Sequence, residues 1–237
     1  MKVGFFQFDV AFAEPEQNRD AIKHALVMSH EFDLLLLPEL CTTGSIFFDR
    51  QQVFDLAEDL YQGATSRLLQ SLAKEKSACI VAGLAECYEG QLYNSTLLTG
   101  PEGLLGIHRK VHLASTDQLR FVPGKDFCVY EVQGVKIGVL LCYDIWFEDG
   151  LQALKQQGVQ IILNPSNFCG EDSLAVIKKA AKDYGVYVIA ANRLGMDHDC
   201  NTGVRFIGNS LIIDPQGTVL AQGDESQQLR VIEIPVG

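Results

Sequence analysis

A thiol, a carboxylate and an ammonium, each at the end of a strand-like run, are the groups in this chain that could do chemistry together. Cys142 stands where the apolar run Gly134–Leu141 (GVKIGVLL) breaks into Tyr143-Asp144-Ile145-Trp146-Phe147. A thiol at such a strand-to-helix corner can be a nucleophile, because backbone N–H groups and a helix N-terminus stabilise its thiolate. Glu39 follows the run Phe32–Leu37 (FDLLLL) and Pro38; a carboxylate leaving a strand buried on both faces is costly unless it is hydrogen-bonded or functional. Lys110 lies among basic neighbours in Gly106–Leu113 (GIHRKVHL). A base, a cation and a thiol on three strand ends suffice for acyl-transfer chemistry, provided the fold brings them together.

Each residue also has a plainer reading. Cys142 is one of seven cysteines, and a free cysteine in a core is commonly an inert small hydrophobe; Cys41, close to Glu39, is the rival thiol. Glu39 could cap a nearby N–H, and Lys110 could be a solvated cation on an edge strand. Asn164, Ser166 and Asn167 follow another buried strand. They either line the same mouth, since active sites in α/β sheets lie at strand carboxyl ends, or only shape an Asn-Pro-Ser-Asn turn. Asn192 and Arg193 read as structural.

The elements that must position these groups alternate in type. Val3–Val10 predicts a strand; Pro15 suits a first helical turn, after which Ala21, Ile22, Ala25 and Leu26 share one face. Leu68, Leu69, Leu72 and Ala73 mark a second helix, and Ala78–Ala85, Leu92–Thr99 and Leu104–Lys110 predict consecutive strands joined by Gly-containing turns. The alternation resumes with a strand over Val135–Leu141, a helix through Leu151 and Leu154, a strand over Val159–Leu163, a helix capped by Asp172 and a strand over Val186–Ala191. Phe206–Ile213 and Gly217–Ala221 flank the turn Asp214-Pro215-Gln216-Gly217, and Leu229–Ile234 predicts the last strand. Helical crossovers mixed with hairpins imply an α/β protein with sheet covered by helices; the pattern leaves open whether there is one sheet or two.

The chain has 237 residues, 47% hydrophobic and 21% charged, the composition of a globular protein able to bury a large core. No linker-like tract divides it, so residues 1–237 read as one domain. A formal charge of −11 would repel nucleic-acid phosphates, which excludes that partner class. The start MKVGFFQF alternates like a strand rather than forming a secretory leader, and no apolar run approaches the roughly 20 residues that span a bilayer. An odd number of scattered cysteines fits reduced thiols in cytoplasm better than a disulfide framework. Neither the cysteines, which lack a CxxC, nor the five histidines make a metal signature, so no metal or cofactor is expected.

Taken together and in order, LLLLPEL, HRKVHL and GVLLCYDIWFED resemble the nitrilase, or carbon–nitrogen hydrolase, superfamily. The resemblance spans nearly the whole chain: KVGFFQFDV with its Pro-led helix, YNSTLLTGPEG, FVPG, NPSNF, VYVIAANRLG and FIGNSLIIDPQGTVLAQG also fit. It implies a four-layer αββα sandwich of two mixed sheets with helices on the outer faces, and a homodimer formed through the helical faces. It places a catalytic triad on Glu39, Lys110 and Cys142. The implied activity is hydrolysis, through a cysteine thioester, of a small linear amide or carbamoyl compound, with release of ammonia or amine. Alternatives are an N-acyltransferase that intercepts the thioester, a nitrilase, or a catalytically silent binding protein on the same scaffold.

The chain also departs from the family pattern. Many members carry a further glutamate eight or nine residues beyond the lysine, where this chain reads ASTDQLR; Asp117 and Gln118 are the candidates to stand in for it. Near Asp172 the usual Arg and Glu-Asn are replaced by KKAAKDYG. Where hydrolases of ω-amides carry an Arg four residues past the nucleophile, this chain has Trp146, which either offers an aromatic surface to substrate or packs against the core. Tyr143 and Asp144 replace the Trp-Glu of true nitrilases, favouring an amide over a nitrile.

Overall fold

The computed structural model describes residues 1–198 and 203–236, so that of the seven cysteines Cys200 lies outside the described residues. The first part of the chain forms β1 (Lys2–Gln7), α1 (Pro15–Met28), β2 (Leu34–Leu36), α2 (Arg50–Leu56), α3 (Ala64–Lys76), β3 (Cys79–Tyr88), β4 (Gln91–Gly100), β5 (Gly103–Arg109) and the single turn α4 (Ser115–Gln118). Next come β6 (Val129–Val132), β7 (Val135–Val139), a 3-10 turn at Cys142–Trp146, α5 (Glu148–Gln156), β8 (Ile161–Ser166), α6 (Asp172–Tyr184) and β9 (Tyr187–Asn192). The described remainder holds β10 (Met196–His198), β11 (Gly203–Arg205), β12 (Leu211–Ile213), β13 (Val219–Gln222) and β14 (Gln228–Glu233).

Two six-stranded mixed sheets result, ordered β14-β1-β2-β3-β4-β5 and β13-β12-β9-β8-β7-β6. In each, two parallel pairings at the centre (β1–β2 and β2–β3; β7–β8 and β8–β9) are flanked by antiparallel partners. Alternate side chains along a strand point to opposite faces, and both faces are buried here. Val3, Phe5, Leu34 and Leu36 meet Ile137, Val139, Ile161 and Leu163 between the sheets. Phe6, Leu35, Leu37 and Ile80 pack outward with Ile22 and Leu26 of α1 and Leu69 and Leu72 of α3. On the far side Ile162 and Val188 pack with Leu151 and Leu154 of α5 and Ile177 and Ala181 of α6. The architecture is therefore the four-layer αββα sandwich. Leu34–Leu37 forms an unbroken apolar run because its odd and even members belong to different cores. No helix among the described residues is long and apolar enough to cross a membrane.

Several local expectations need correction. The first strand ends at Gln7 rather than Val10, and Asp9 makes only an isolated bridge to Leu194. The strand expected over Phe206–Ile213 shrinks to Leu211–Ile213, because Gly208 (φ 62°) and Asn209 (φ 54°) take left-handed backbone that a strand cannot hold. Asp172 does not cap α6: it is the first helical residue, after Glu171, and no side chain caps that end. Helix α2 was not expected; Asp49 caps it, its Oδ1 accepting from the Gln52 N–H at 2.9 Å.

Candidate active site

Past β2 the chain must cross β3 closely, and Gly83 permits it. A Cβ on Gly83 would lie 2.4 Å from the Glu39 Cα. The Gly83 N–H instead donates to Pro38 O at 3.0 Å, and the Cys41 N–H donates to Gly83 O at 2.9 Å. With Leu40 in left-handed backbone (φ 47°), this crossing buries Glu39 to 3% exposure.

Lys110 follows β5 by one residue, its N–H bonded to Asn94 O on β4 at 2.8 Å. Its side chain is 2% exposed, which excludes a solvated edge cation. Nζ donates to Glu39 Oε1 and to Asp117 Oδ2, each at 2.7 Å, and Asn94 Nδ2 donates to the same Glu39 Oε1 at 2.7 Å. Of the two candidates in α4, Asp117 thus reaches the lysine, whereas the Gln118 amide donates to Leu113 O at 3.1 Å.

Cys142 begins the 3-10 turn after β7 with φ of +48°, a left-handed conformation that costs a non-glycine residue energy and is held by its surroundings. The holding groups are polar and buried. Asp144 Oδ2 accepts from the Leu141 N–H at 3.0 Å, and its Oδ1 accepts from the His112 N–H at 2.7 Å and lies 3.0 Å from the His112 ring Nδ1. Asn164 Nδ2 donates to the Leu140 carbonyl and, at 3.3 Å, to Cys142 O. The thiol is within electrostatic reach of the Glu39 carboxylate, the Lys110 ammonium and the Asn167 backbone N–H.

The electrostatics of this cluster suit proton transfer. Burial pushes Glu39 above the usual carboxylate range, Lys110 pulls it back, and Asp117 pushes it up again. Burial would lower Lys110, but Glu39, Asp117 and Cys142 outweigh it and hold the ammonium well above the ordinary value. Burial, reinforced by Glu39, pushes Cys142 well above the usual thiol range against the pull of Lys110. Burial thus outweighs the help that backbone N–H groups at the strand end could give a thiolate, and the resting group is a thiol beside a carboxylate that can take its proton. Asp144 is held down at about 2; burial opposes this, but the nearby His108 imidazole and the hydrogen bonds from His112 prevail.

The remaining expected residues divide. Tyr143 and Gln118 line a cavity of about 520 Å³ with His112, Phe121 and Phe147, and the His112 ring stacks on Phe147 at 4.0 Å. Trp146, 43% exposed, lines a different cavity with Val176 and Tyr184 on the α5–α6 face. Ser166 is fully buried and its Oγ donates to Asn164 Oδ1 at 2.8 Å, so it orients the amide that holds the Cys142 turn. Cys41, the rival thiol, sits in the apolar cluster under α1 and α3, where burial pushes it far up.

Sequence reasoning missed Asn94, Asp144, His108 and His112 as parts of the site. Asn94 opposes Ala85 in the β3–β4 hairpin, and the clue was the polar run Asn94-Ser95-Thr96 inside a strand whose flanks are apolar. For the others the clue was the spacing: Asp144 two residues past the cysteine, and the histidines two residues either side of the lysine.

Comparison with known proteins bears on the family and the fold. The family model for carbon–nitrogen hydrolases matches residues 4–237. A nitrilase from Pyrococcus abyssi is 33% identical over 96% of this chain and 87% of its own. An (R)-stereoselective amidase from a Pseudomonas species is 31% identical over 85% of this chain and 73% of its own. Among solved structures, an amidase from a Nesterenkonia species superposes with a TM-score of 0.88 at 24% identity, covering 99% of this chain and 90% of the other.

Proposed function

The chain belongs to the carbon–nitrogen hydrolase family, and from that premise we propose that it hydrolyses a small linear amide or carbamoyl compound through a thioester on Cys142, with Glu39 and Lys110 as partners. The observation that carries the reading is the buried cluster in which the Glu39 carboxylate accepts from Lys110 Nζ at 2.7 Å while both act electrostatically on the Cys142 thiol.

Glu39, raised by burial, takes the thiol proton as sulfur attacks the amide carbonyl. Lys110 has three donors and spends two on Glu39 and Asp117, leaving one for the developing oxyanion. Tyr143, second residue of the 3-10 turn, has no intrahelical acceptor for its N–H and supplies the other donor. Glu39 returns its proton to the departing nitrogen as the C–N bond breaks. It then deprotonates the water that hydrolyses the thioester, regenerating the thiol and releasing the acid.

The adjoining cavity is lined by Val111, Leu113, Phe121, Pro123 and Phe147 beside Tyr143 and Gln118. Among the described residues no Lys or Arg lines it, and its His112 is already paired with Asp144 and Asp149, which supports an uncharged acyl group. Residues 1–237 act as one catalytic domain, reduced and cytoplasmic in keeping with six free cysteines among the described residues. The working unit is a homodimer docked through the α5–α6 face, where Trp146 is exposed.

The test is a panel of amides, ureides and nitriles assayed for ammonia, with Cys142→Ala as blank. Release above blank from uncharged linear amides supports the assignment. Release only from nitriles would replace amide hydrolysis by nitrile hydrolysis, and equal release by the blank would remove Cys142 from the mechanism.

A further inference from the structure

A second thiol, outside the Glu39–Lys110–Cys142 cluster, lines one cavity with a buried histidine that has a carboxylate 3.8 Å from its Nε2. The segment from Val122 to Cys128 runs along the outer edge of β5, tied there by the Gly124 N–H donating to Lys110 O at 2.7 Å. Together with His108 and Arg109, Cys128 lines a cavity of about 430 Å³. Cys128 is half-buried and so reachable from that cavity, while His108 is fully buried. Neither His108 ring nitrogen makes a conventional hydrogen bond among the described residues. Its Nε2 stands 3.8 Å from Asp144 Oδ2. A buried imidazole with no hydrogen bond on either nitrogen, a carboxylate 3.8 Å from one of them and a thiol lining the same cavity are the parts of a nucleophile–base–orienter arrangement.

We propose that Cys128 is a second reactive thiol, a site of thiol–disulfide exchange with low-molecular-weight disulfides, with His108 as its base and Asp144 orienting the imidazole. The charges around it agree. Interaction with His108 holds Cys128 below the ordinary thiol range; burial opposes this, the charge of His108 and the Tyr130 hydroxyl add to it, and Asp126 works against it. Burial would lower His108, but Asp144 and Cys128 raise it above its usual value. Arg109 is occupied by Glu86, at 2.6 and 2.8 Å, and its guanidinium lies 3.8 Å from the Tyr93 ring centroid. Lys125 is exposed at the cavity rim. By contrast, burial pushes Cys79 up to about 12 and raises Cys41 and Cys142 as well.

In the reaction the Cys128 thiolate attacks one sulfur of the disulfide. The S–S bond breaks, a new mixed disulfide forms on Cys128, and the other half leaves as a thiolate that takes the proton from the His108 imidazolium. Cys128 is oxidised and the departing sulfur reduced by the same electron pair, so the incoming disulfide is the only oxidant needed.

The experiment treats the full-length Cys142→Ala protein with oxidised glutathione at pH 8.5 and 6.5, and follows each cysteine by peptide mass mapping. The expected result is glutathionylation of Cys128 ahead of the exposed Cys169 at pH 6.5, with the Cys128 rate falling less than about fivefold between the two pH values. A model thiol of pKa ~8.5 loses about fiftyfold of its thiolate over that range. His108→Asn should give Cys128 the steep profile while leaving Cys169 unchanged. If that variant fails to fold, Tyr130→Phe should steepen the profile in the same direction to a smaller extent. Cys128 reacting no faster than Cys169 at pH 6.5, or a folded His108→Asn protein keeping the shallow profile, would overturn the proposal.

Discussion

Replacing Glu39 by glutamine separates catalysis from folding, because the carboxylate holds its structural and its chemical partners on one small group. Lys110 Nζ and Asn94 Nδ2 both donate to Oε1, each at 2.7 Å. An amide oxygen placed there keeps both bonds, and Lys110 keeps its second carboxylate, Asp117, at 2.7 Å. The charge lost is one that burial already disfavours, since Glu39 is raised above the usual carboxylate range. A raised carboxylate is a group whose ionised form weakens the fold above its own pKa, so a neutral isostere relieves that cost while weakening the bond to Lys110. The two effects oppose each other, and the unfolding free energy in urea should stay within about 1 kcal/mol of the wild type. The amide nitrogen, in contrast, presents a donor to the thiol and cannot take its proton. Loss of a general base costs about 10²–10⁴ in rate, or roughly 3–5 kcal/mol of barrier. The assay is single-turnover acylation by intact-protein mass spectrometry, paired with ammonia release. A folded Glu39→Gln protein that forms thioester within threefold of the wild-type rate would refute the assignment of Glu39 as the base.

Three further outcomes follow from the same geometry. Asp117→Asn removes a buried charge-assisted bond to Lys110 and should lower kcat/KM by about 1.5–3 kcal/mol, roughly ten- to a hundredfold; an unchanged value would detach α4 from the chemistry. Asp144, held down at about 2, contributes about 2 kcal/mol of stability that is fully present above the unfolded carboxylate pKa near 4 and is lost as pH falls through about 2. Urea titrations between pH 7 and 2.5 should therefore show a shallower acid decline for Asp144→Asn than for the wild type, and parallel curves would contradict that role. Trp146→Ala should weaken association through the α5–α6 face by about 2 kcal/mol, roughly thirtyfold, read by sedimentation; a rise in KM with unchanged association would move Trp146 into the substrate site.

The core was legible because its signal is local. Phe5 and Phe6 face opposite layers as neighbours on a strand must, and four leucines in a row require a strand buried on both sides. The break in α/β alternation at Ala78–Arg109 announced hairpins, and the structure uses them as β3, β4 and β5. Less was legible where backbone conformation departs from the regular elements. Asn209 in left-handed backbone ends the strand expected from Phe206, although its side chain forbids neither conformation. Helix α2 depends on the Asp49 cap and lacks a long periodic stripe, so hydrophobic pattern passes over it.

Within the site, residue types and strand-end positions singled out Glu39, Lys110 and Cys142, while their contacts came from the folding of distant segments. Lys110 and Glu39 meet across 71 residues of chain, and Asn94 reaches Glu39 across 55. Asp144 contacts His112 across 32. Such pairings depend on which sheet edge faces which, and no local spacing encodes that. The choice between Asp117 and Gln118 was likewise made by the direction in which one helical turn presents each side chain. The protonation of Cys142 follows from desolvation and the adjacent Glu39 carboxylate. Sequence alone determined which segments form strands and helices and which reactive groups are available, because periodicity and residue chemistry act over a few residues. Only tertiary structure decided the distances, the burial and the resting charge of each group, because electrostatic energies depend on what surrounds a group in three dimensions.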